Sequence, residues 1–509
     1  MDTPVYLDGE TLSIQDVVRV ARDGVMVAIP EEAKARIAQN RQMVEDAIAR
    51  GEVIYGLNTG FGKFSDVAIS EEQLDELQYR LILADCVGVG RPFAEEVVRA
   101  IMALRVNALA KGCSGIRTET VETLVAMLNK RVHPIIPEKG SVGSSGDLCP
   151  LAHMVMPMLG EGEAEYGGEV LTGEEAMRRA GIPTIRLKAK EGLALINGTC
   201  AMMGAGVLAV YDARNLAKTA DIAASLTLEA LHGVTDAYDR RLHEARPHKG
   251  QLDVAANMLL LVTDSKMTTR QGEMRVQDAY TLRCIPQIHG ASRLALDYVE
   301  SVIATEINSV TDNPLIFDGD VISGGNFHGQ PIAIAMDTLA IAVSELANVS
   351  ERRTERLLNP ALNEGLPAFL VSDGGLNCGF MVAQYSAAAL VSENKILSHP
   401  ASVDSIPTCA NQEDHVSFGT IAARKAREIV EHSYHVLGIE LICAAQGVDL
   451  REGADKLGKG SSAAYKAVRE LVPFMEKDIA IYRDMNAVYG LLHHGKLVSI
   501  AETAAGMLN

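Results

Sequence analysis

The sequence predicts a mainly α-helical protein, a long central helix bundle with a more loop-rich N-terminal part. Three observations carry that expectation. Ile332, Met336, Leu339, Val343 and Leu346 recur at steps of four and three, the spacing that puts apolar side chains on one helix face. Ile334 and Ile341 widen the stripe, as expected of a helix buried on more than one side. Weakly charged stretches over 201–231, 380–397 and 421–446 read the same way, while strand-and-turn signals are few. Long helices with wide apolar faces pack as bundles, and such faces also suit packing between subunits.

In chain order, VYLDGETLS opens the sequence, AEYGGEVLTG follows at 164–173 and LIFDGDVISGG at 315–325. Each places Asp-Gly or Gly-Gly at a bend, the pairs that tolerate the positive φ of tight turns. Residues 1–200 are expected to form a mixed N-terminal part and 201–509 the long-helix bundle. The stretch LALINGTCAMMGAGVLAVY at 193–211 has no charge, and a membrane span needs about 20 apolar residues. Asn197, Thr199 and three glycines inside it predict instead a buried core helix preceded by a polar turn.

Composition bounds the function. The 509 residues are 48% hydrophobic and 22% charged, ordinary for a globular protein with a large core. A net charge of −19 argues against a nucleic-acid or anionic-membrane partner and favours a small soluble substrate. Eight scattered cysteines form no CxxC pair, so free thiols in a reducing cytoplasm are expected. The start, MDTPVYLDGETLS, does not read as a signal peptide. No metal is expected either, because His153, His289, His328, His399 and His415 show no ligand spacing. A GxSxG nucleophile elbow is also missing.

One short run does not belong to a helical pattern. Residues 140–150 read GSVGSSGDLCP, with Gly140, Gly143 and Gly146 at every third position. That is neither GxGxxG nor a Walker loop followed by Lys-Ser or Lys-Thr. Apolar LCPLAHMVMPML follows at once, so the loop is expected to be held inside. Other polar clusters interrupt the apolar chain: YGLNTGFGKF, INGT, QDAYTLRC, TDNPLIF, GGNFHGQP and ANQEDHVSFG. Each alone reads as a turn or a helix cap. Together they point to a site assembled from distant segments.

The loop followed by DLCPLAH, with YGLNTGFG, EGLALINGT, QDAYTLRC, SVTDNPLIF, SGGNFHGQP, SERRTERL and HPASVDSIPTCANQEDHVS, resembles the aromatic amino-acid ammonia-lyases over nearly the whole chain. The form NQEDH is similar to their histidine-specific branch. The resemblance implies deamination of L-histidine to urocanate, or the like reaction of a close analogue, in a homotetramer whose sites draw on more than one chain. It implies a prosthetic group made from the chain itself, a 4-methylidene-imidazol-5-one condensed from Ser144, Ser145 and Gly146. The Gly146 nitrogen would attack the Ser144 carbonyl carbon, and Ser145 would lose its hydroxyl. A glycine suits the third position because it lacks Cβ. Asp147 would open a helix whose positive end draws electrons from the ring oxygen.

By the same resemblance Tyr55 would be the general base, its phenol tuned below the usual value of about 10. Arg283 would fork onto the substrate carboxylate. Asn197 and Tyr280 would hold the ring and the developing charge, Gln277 and Phe327 would shape the pocket, and Glu413 would face the imidazole. This chain departs from the pattern twice. Ser144 stands where the family usually has alanine, and Ala84-Asp85 where histidine-specific members carry Ser-His. A buried Asp85 near Glu413 must be protonated, paired with a cation, or costly, so Asp85 is a candidate substrate-binding residue. Three alternatives stay open: an aminomutase, a lyase for a histidine derivative, and a catalytically inactive structural relative.

Overall fold

A computed structural model describes residues 3–51, 56 and 58–509. Helices dominate it. The stretch 193–211 divides as its composition requires: a short helix Glu191–Ile196, a polar break at Asn197–Thr199, then the helix Cys200–Ala230. The helix Gln330–Leu358 is the one described helix apolar and long enough to cross a membrane, and 67% of its most apolar window is buried in protein, as in a core helix. Met381–Leu397 and Gly419–Leu450 form where the other weakly charged stretches predict them.

The chain divides into two compact units, both discontinuous in sequence. One comprises Met1–Tyr211, Glu300–Asp337 and Pro400–Arg424. It holds the small sheets. Glu163–Tyr166 pairs antiparallel with Glu169–Thr172 across Gly167-Gly168, and Leu315–Phe317 with Asp320–Ile322 across Asp318-Gly319. All four turn residues have positive φ, the conformation that matches a two-residue turn to strand twist. The first strand signal resolves differently. Val5–Tyr6 pairs parallel with Val27–Ala28, and Asp8-Gly9 closes a side-chain turn in which Asp8 Oδ1 accepts from the Glu10 and Thr11 amides at 2.8 Å. In this unit Gly204 lies so close to Ile101 that an added Cβ would meet its Cγ1 at 2.5 Å.

The other unit comprises Asp212–Val299, Thr338–His399 and Lys425–Asn509. Its interior carries charge as well as apolar side chains: Asp221, His289, Arg353 and Glu440 are fully buried. Along the helix Gln330–Leu358, Ile332, Met336, Leu339, Val343 and Leu346 are completely buried, as the spacing predicts. Ile334 and Ile341 are not; they are 45% and 55% exposed. The expectation that they lie buried within the chain is therefore corrected. They occupy the opposite edge of the helix, where the isolated chain offers no cover.

Candidate active site

The Gly/Ser run is a strained turn pinned between two backbones. It leaves the strand Pro137–Lys139 and enters the helix Leu148–Val155. Gly140, Gly143, Ser145 and Gly146 all have positive φ, at 139°, 79°, 47° and 77°. For Ser145 that conformation costs about 1–3 kcal/mol. The Ser145 carbonyl accepts from the Gly198 amide at 3.1 Å, the Gly198 carbonyl accepts from the Asp147 amide at 2.7 Å, and the Val142 carbonyl accepts from Phe418 at 2.9 Å. These bonds hold the loop inside. A Cβ on Gly146 would stand 2.2 Å from the Gly198 oxygen, and one on Gly143 would stand 2.2 Å from Ser417 Oγ. Only glycine fits at either position.

Asp147 does precede the helix Leu148–Val155, but its side chain does not cap it. The fully buried carboxylate accepts from Ser141 Oγ at 2.9 Å, from Thr420 Oγ1, and from the Met202 amide at 2.7 Å. Met202 lies in the first turn of Cys200–Ala230, so Asp147 serves the N-terminus of a different helix, where a negative charge is favourable. Burial pushes its carboxyl above the usual range, against the pull of those hydrogen bonds.

A cavity of about 550 Å³ is lined by Ser144, Ser145, Asn197, Phe327 and Glu413 together. Five of the expected site residues thus meet at one place within one unit. The Asn197 amide donates through Nδ2 to Asp312 Oδ1 and to the Asn313 carbonyl, both at 3.0 Å. Its Oδ1 is buried and has no partner among the described residues, and the same holds for Ser144 Oγ. Glu413 Oε2 accepts from Thr408 Oγ1 at 2.7 Å. The intervening loop keeps Cys409, Ala410 and Asn411 at positive φ and is tied across by the Lys63 amide, which donates to Cys409 Sγ at 3.3 Å.

Asp85 ends the helix Leu74–Asp85 and is not part of the cavity wall. Burial, and after it the negative charge of Glu413, push its carboxyl up to about 6. No described cation offsets them. Gln277 and Arg283 line a separate pocket of about 340 Å³ in the other unit. There the Arg283 guanidinium lies 4.6 Å over the Tyr280 ring, Arg283 Nε has no partner among the described residues, and Tyr280 is 69% exposed. Tyr55 lies outside the described residues.

Sequence reasoning missed several groups. His328 and His415 also line the cavity, with ring centroids 5.6 Å apart. Asn313 lines it too, and Asp312 and Lys190 stand behind it. The motif TDNPLIF carried the signal for Asp312 and Asn313, but alone it reads as a turn. Among the described residues Glu95, His133 and Glu165 place possible metal-ligand atoms within 4.8 Å of one another. The Arg99 guanidinium, 3.1 Å from His133 Nε2, already supplies the positive charge there.

A glycine-dependent turn beside a polar cavity in a helical fold defines a class, and the family model described as aromatic amino acid lyase matches residues 12–470. The chain belongs to the aromatic amino acid lyase family. Among individual proteins it is similar to histidine ammonia-lyase 2 of Fusobacterium nucleatum subsp. nucleatum, 61% identical over all of both chains. Among solved structures it is similar to histidine ammonia-lyase from Trypanosoma cruzi, at 43% identity and TM-score 0.92, over 99% of this chain and 96% of that one. Tyrosine aminomutase from Streptomyces globisporus matches at 39% identity and TM-score 0.96, over all of both chains.

Proposed function

We propose that this chain is a carbon–nitrogen lyase that eliminates ammonia from L-histidine to give urocanate. The observation that carries the reading is the turn Ser144–Ser145–Gly146, strained at Ser145, closed on Gly198 and exposed to a cavity that Glu413 also lines. Full-length likeness to proteins named histidine ammonia-lyase supports it.

The turn fits a ring condensed from the main chain, because Gly146 has no room for a Cβ and serine at 145 offers a Cβ with a leaving hydroxyl. Once formed, the methylidene-imidazolone supplies an electrophile that ordinary side chains lack. The chain's residues do the rest. Glu413, braced by Thr408, holds the imidazole, and Phe327 bounds the pocket. Asn197 steadies the reacting centre. Arg283 forks onto the carboxylate, with Gln277 and Tyr280 beside it, and Tyr55 takes the β-proton. The exposed Tyr280–Arg283 pair suits a role in the cavity of a second copy, in keeping with the homotetramer that the family resemblance implies. Eight unpaired cysteines suit work in a reducing cytoplasm. No metal enters this reading.

Asp85 favours a second reading. A carboxylate beside Glu413, with no cation to offset it, would suit a histidine analogue that carries more positive charge. Incubation with L-histidine and with cationic analogues, with urocanate and β-histidine separated as products, tests both. Urocanate from L-histidine, and a purified chain lighter than its sequence by two waters, are expected. An unmodified mass in active protein would remove the proposed electrophile, and β-histidine as the main product would make the enzyme an aminomutase.

A further inference from the structure

Behind Asn197 lies a buried relay. Lys190 and Asp312 are each about 1% exposed at the side chain, with Lys190 Nζ 2.8 Å from Asp312 Oδ2. The other carboxylate oxygen, Oδ1, accepts from Asn197 Nδ2 at 3.0 Å and from the Asn313 amide at 2.6 Å. The Asn197 backbone is fixed as well, since its carbonyl accepts from the Arg105 guanidinium at 2.9 Å. Both protons of Asn197 Nδ2 are thus spent on Asp312 and on the Asn313 carbonyl. Turning the amide over would set its oxygen against a carboxylate and a carbonyl, acceptor facing acceptor.

The remaining atom, Asn197 Oδ1, is buried without a partner among the described residues, on a residue that lines the cavity beside Ser145. A buried amide oxygen left empty is costly unless a ligand fills it. What fills it must donate. The Lys190 ammonium and the Asp312 carboxylate, 2.8 Å apart, offset the cost of each other's burial. Burial does pull the Lys190 ammonium below its usual value, with Asp312 opposing the shift. An uncharged group able to donate in place of that carboxylate would no longer specify which end of the Asn197 amide faces the cavity.

We propose that Lys190 and Asp312 are positioning residues that lock the Asn197 amide with its oxygen toward the cavity, where it accepts a hydrogen bond from the substrate's amino group. This rests on the reading of the cavity as the site of deamination. It predicts that the lock acts on turnover rather than on folding or on ring formation.

The test compares Asp312→Asn, the double variant Lys190→Met with Asp312→Asn, and Asn197→Ala in the full-length protein. Each is measured for melting, for intact mass and for kcat on L-histidine per ring-containing chain. The double variant leaves no unpaired charge and so decides the matter where Asp312→Asn alone does not fold. The expected result is a folded chain, lighter by two waters, whose kcat is about a hundredfold lower, the scale of a misplaced reacting group. Wild-type kcat in either Asp312 variant would overturn the lock. So would an unmodified mass in a folded Asp312 variant, which would assign the relay to ring formation, or failure of both to fold, which would make it structural. An Asn197→Ala chain as active as wild type would instead overturn the assignment of Asn197 to the reacting site.

Discussion

In the unit that holds Glu440, five buried polar side chains pass hydrogen bonds from one to the next and leave none of their own buried atoms without a partner. Asp221 Oδ1 pairs with His289 Nδ1 at 2.7 Å, His289 Nε2 meets the Arg353 guanidinium at 3.3 Å, and Arg353 donates to both Glu440 oxygens, at 2.5 and 2.9 Å. Thr227 Oγ1 donates to Glu440 Oε1 at 2.7 Å. None of these five side chains carries an unpartnered buried atom. In the unit that holds Ser145, the run from Lys190 through Asp312 to Asn197 is buried as deeply but ends at a cavity on an oxygen with no partner among the described residues. A closed network can only hold the fold together. An open one has a valence left for a ligand, and the same residue types serve both ends according to whether the last atom is satisfied.

That contrast can be broken by mutation. The largest effect is expected from Ser145→Ala, which removes the leaving hydroxyl: urocanate production should fall to background and the intact mass should equal the unmodified sequence, with melting unchanged. An active variant would detach the turn from the chemistry. Next is Arg353→Met in the closed network, which leaves Glu440 charged and buried; a loss of about 3–5 kcal/mol in denaturant unfolding is expected, with kcat per folded chain preserved. Stability equal to wild type would mean that the closed network does not hold the fold.

Glu413→Gln should be milder. Removing the charge from a hydrogen bond to the imidazole costs about 1.5–3 kcal/mol, read as a fall in kcat/KM for L-histidine with ring formation intact; an unchanged kcat/KM would separate Glu413 from the substrate.

The smallest effect belongs to Asp85→Asn, and it depends on pH. Burial and Glu413 push the folded carboxyl up to about 6, against about 3.9 when unfolded. Between about pH 4 and 6 the native state holds a proton that the unfolded chain has released, so the wild type loses stability as pH rises through that window. Asparagine does not titrate. Its advantage should therefore be near zero at the bottom of the window and grow to at most about 2 kcal/mol above it, allowing for partial exposure. Unfolding in denaturant at three pH values measures the difference, and an advantage that shrinks with rising pH would reverse the sign.

Parts of this architecture are legible residue by residue. The stripe from Ile332 to Leu346 marks a helix because spacing alone fixes which side chains share a face. Gly167-Gly168 and Asp318-Gly319 mark hairpins because few other pairs tolerate positive φ at both central positions. The glycines of the 140–146 run announce a bent backbone for the same reason, although nothing local says what bends it. Other features are not legible. Asp147 reads as the cap of the helix that follows it, yet its carboxylate meets the amide of Met202, 55 positions further on. Asp312 reads as part of a turn, while its partner Lys190 is 122 positions away. Ile334 and Ile341 read as core because periodicity reports apolar faces but not what covers them.

By itself, then, the order of residues determined which segments coil, where the backbone must turn against its preferred hand, and that one turn carries serine between residues able to bend around it. Those are matters of local sterics and periodicity, settled within a few positions. Which carboxylate faces which cation, which amide oxygen is left empty, and that Gly198 presses against Gly146 were decided only when distant segments came together. Charge pairing and close packing act through space, and their partners have no fixed separation along the chain.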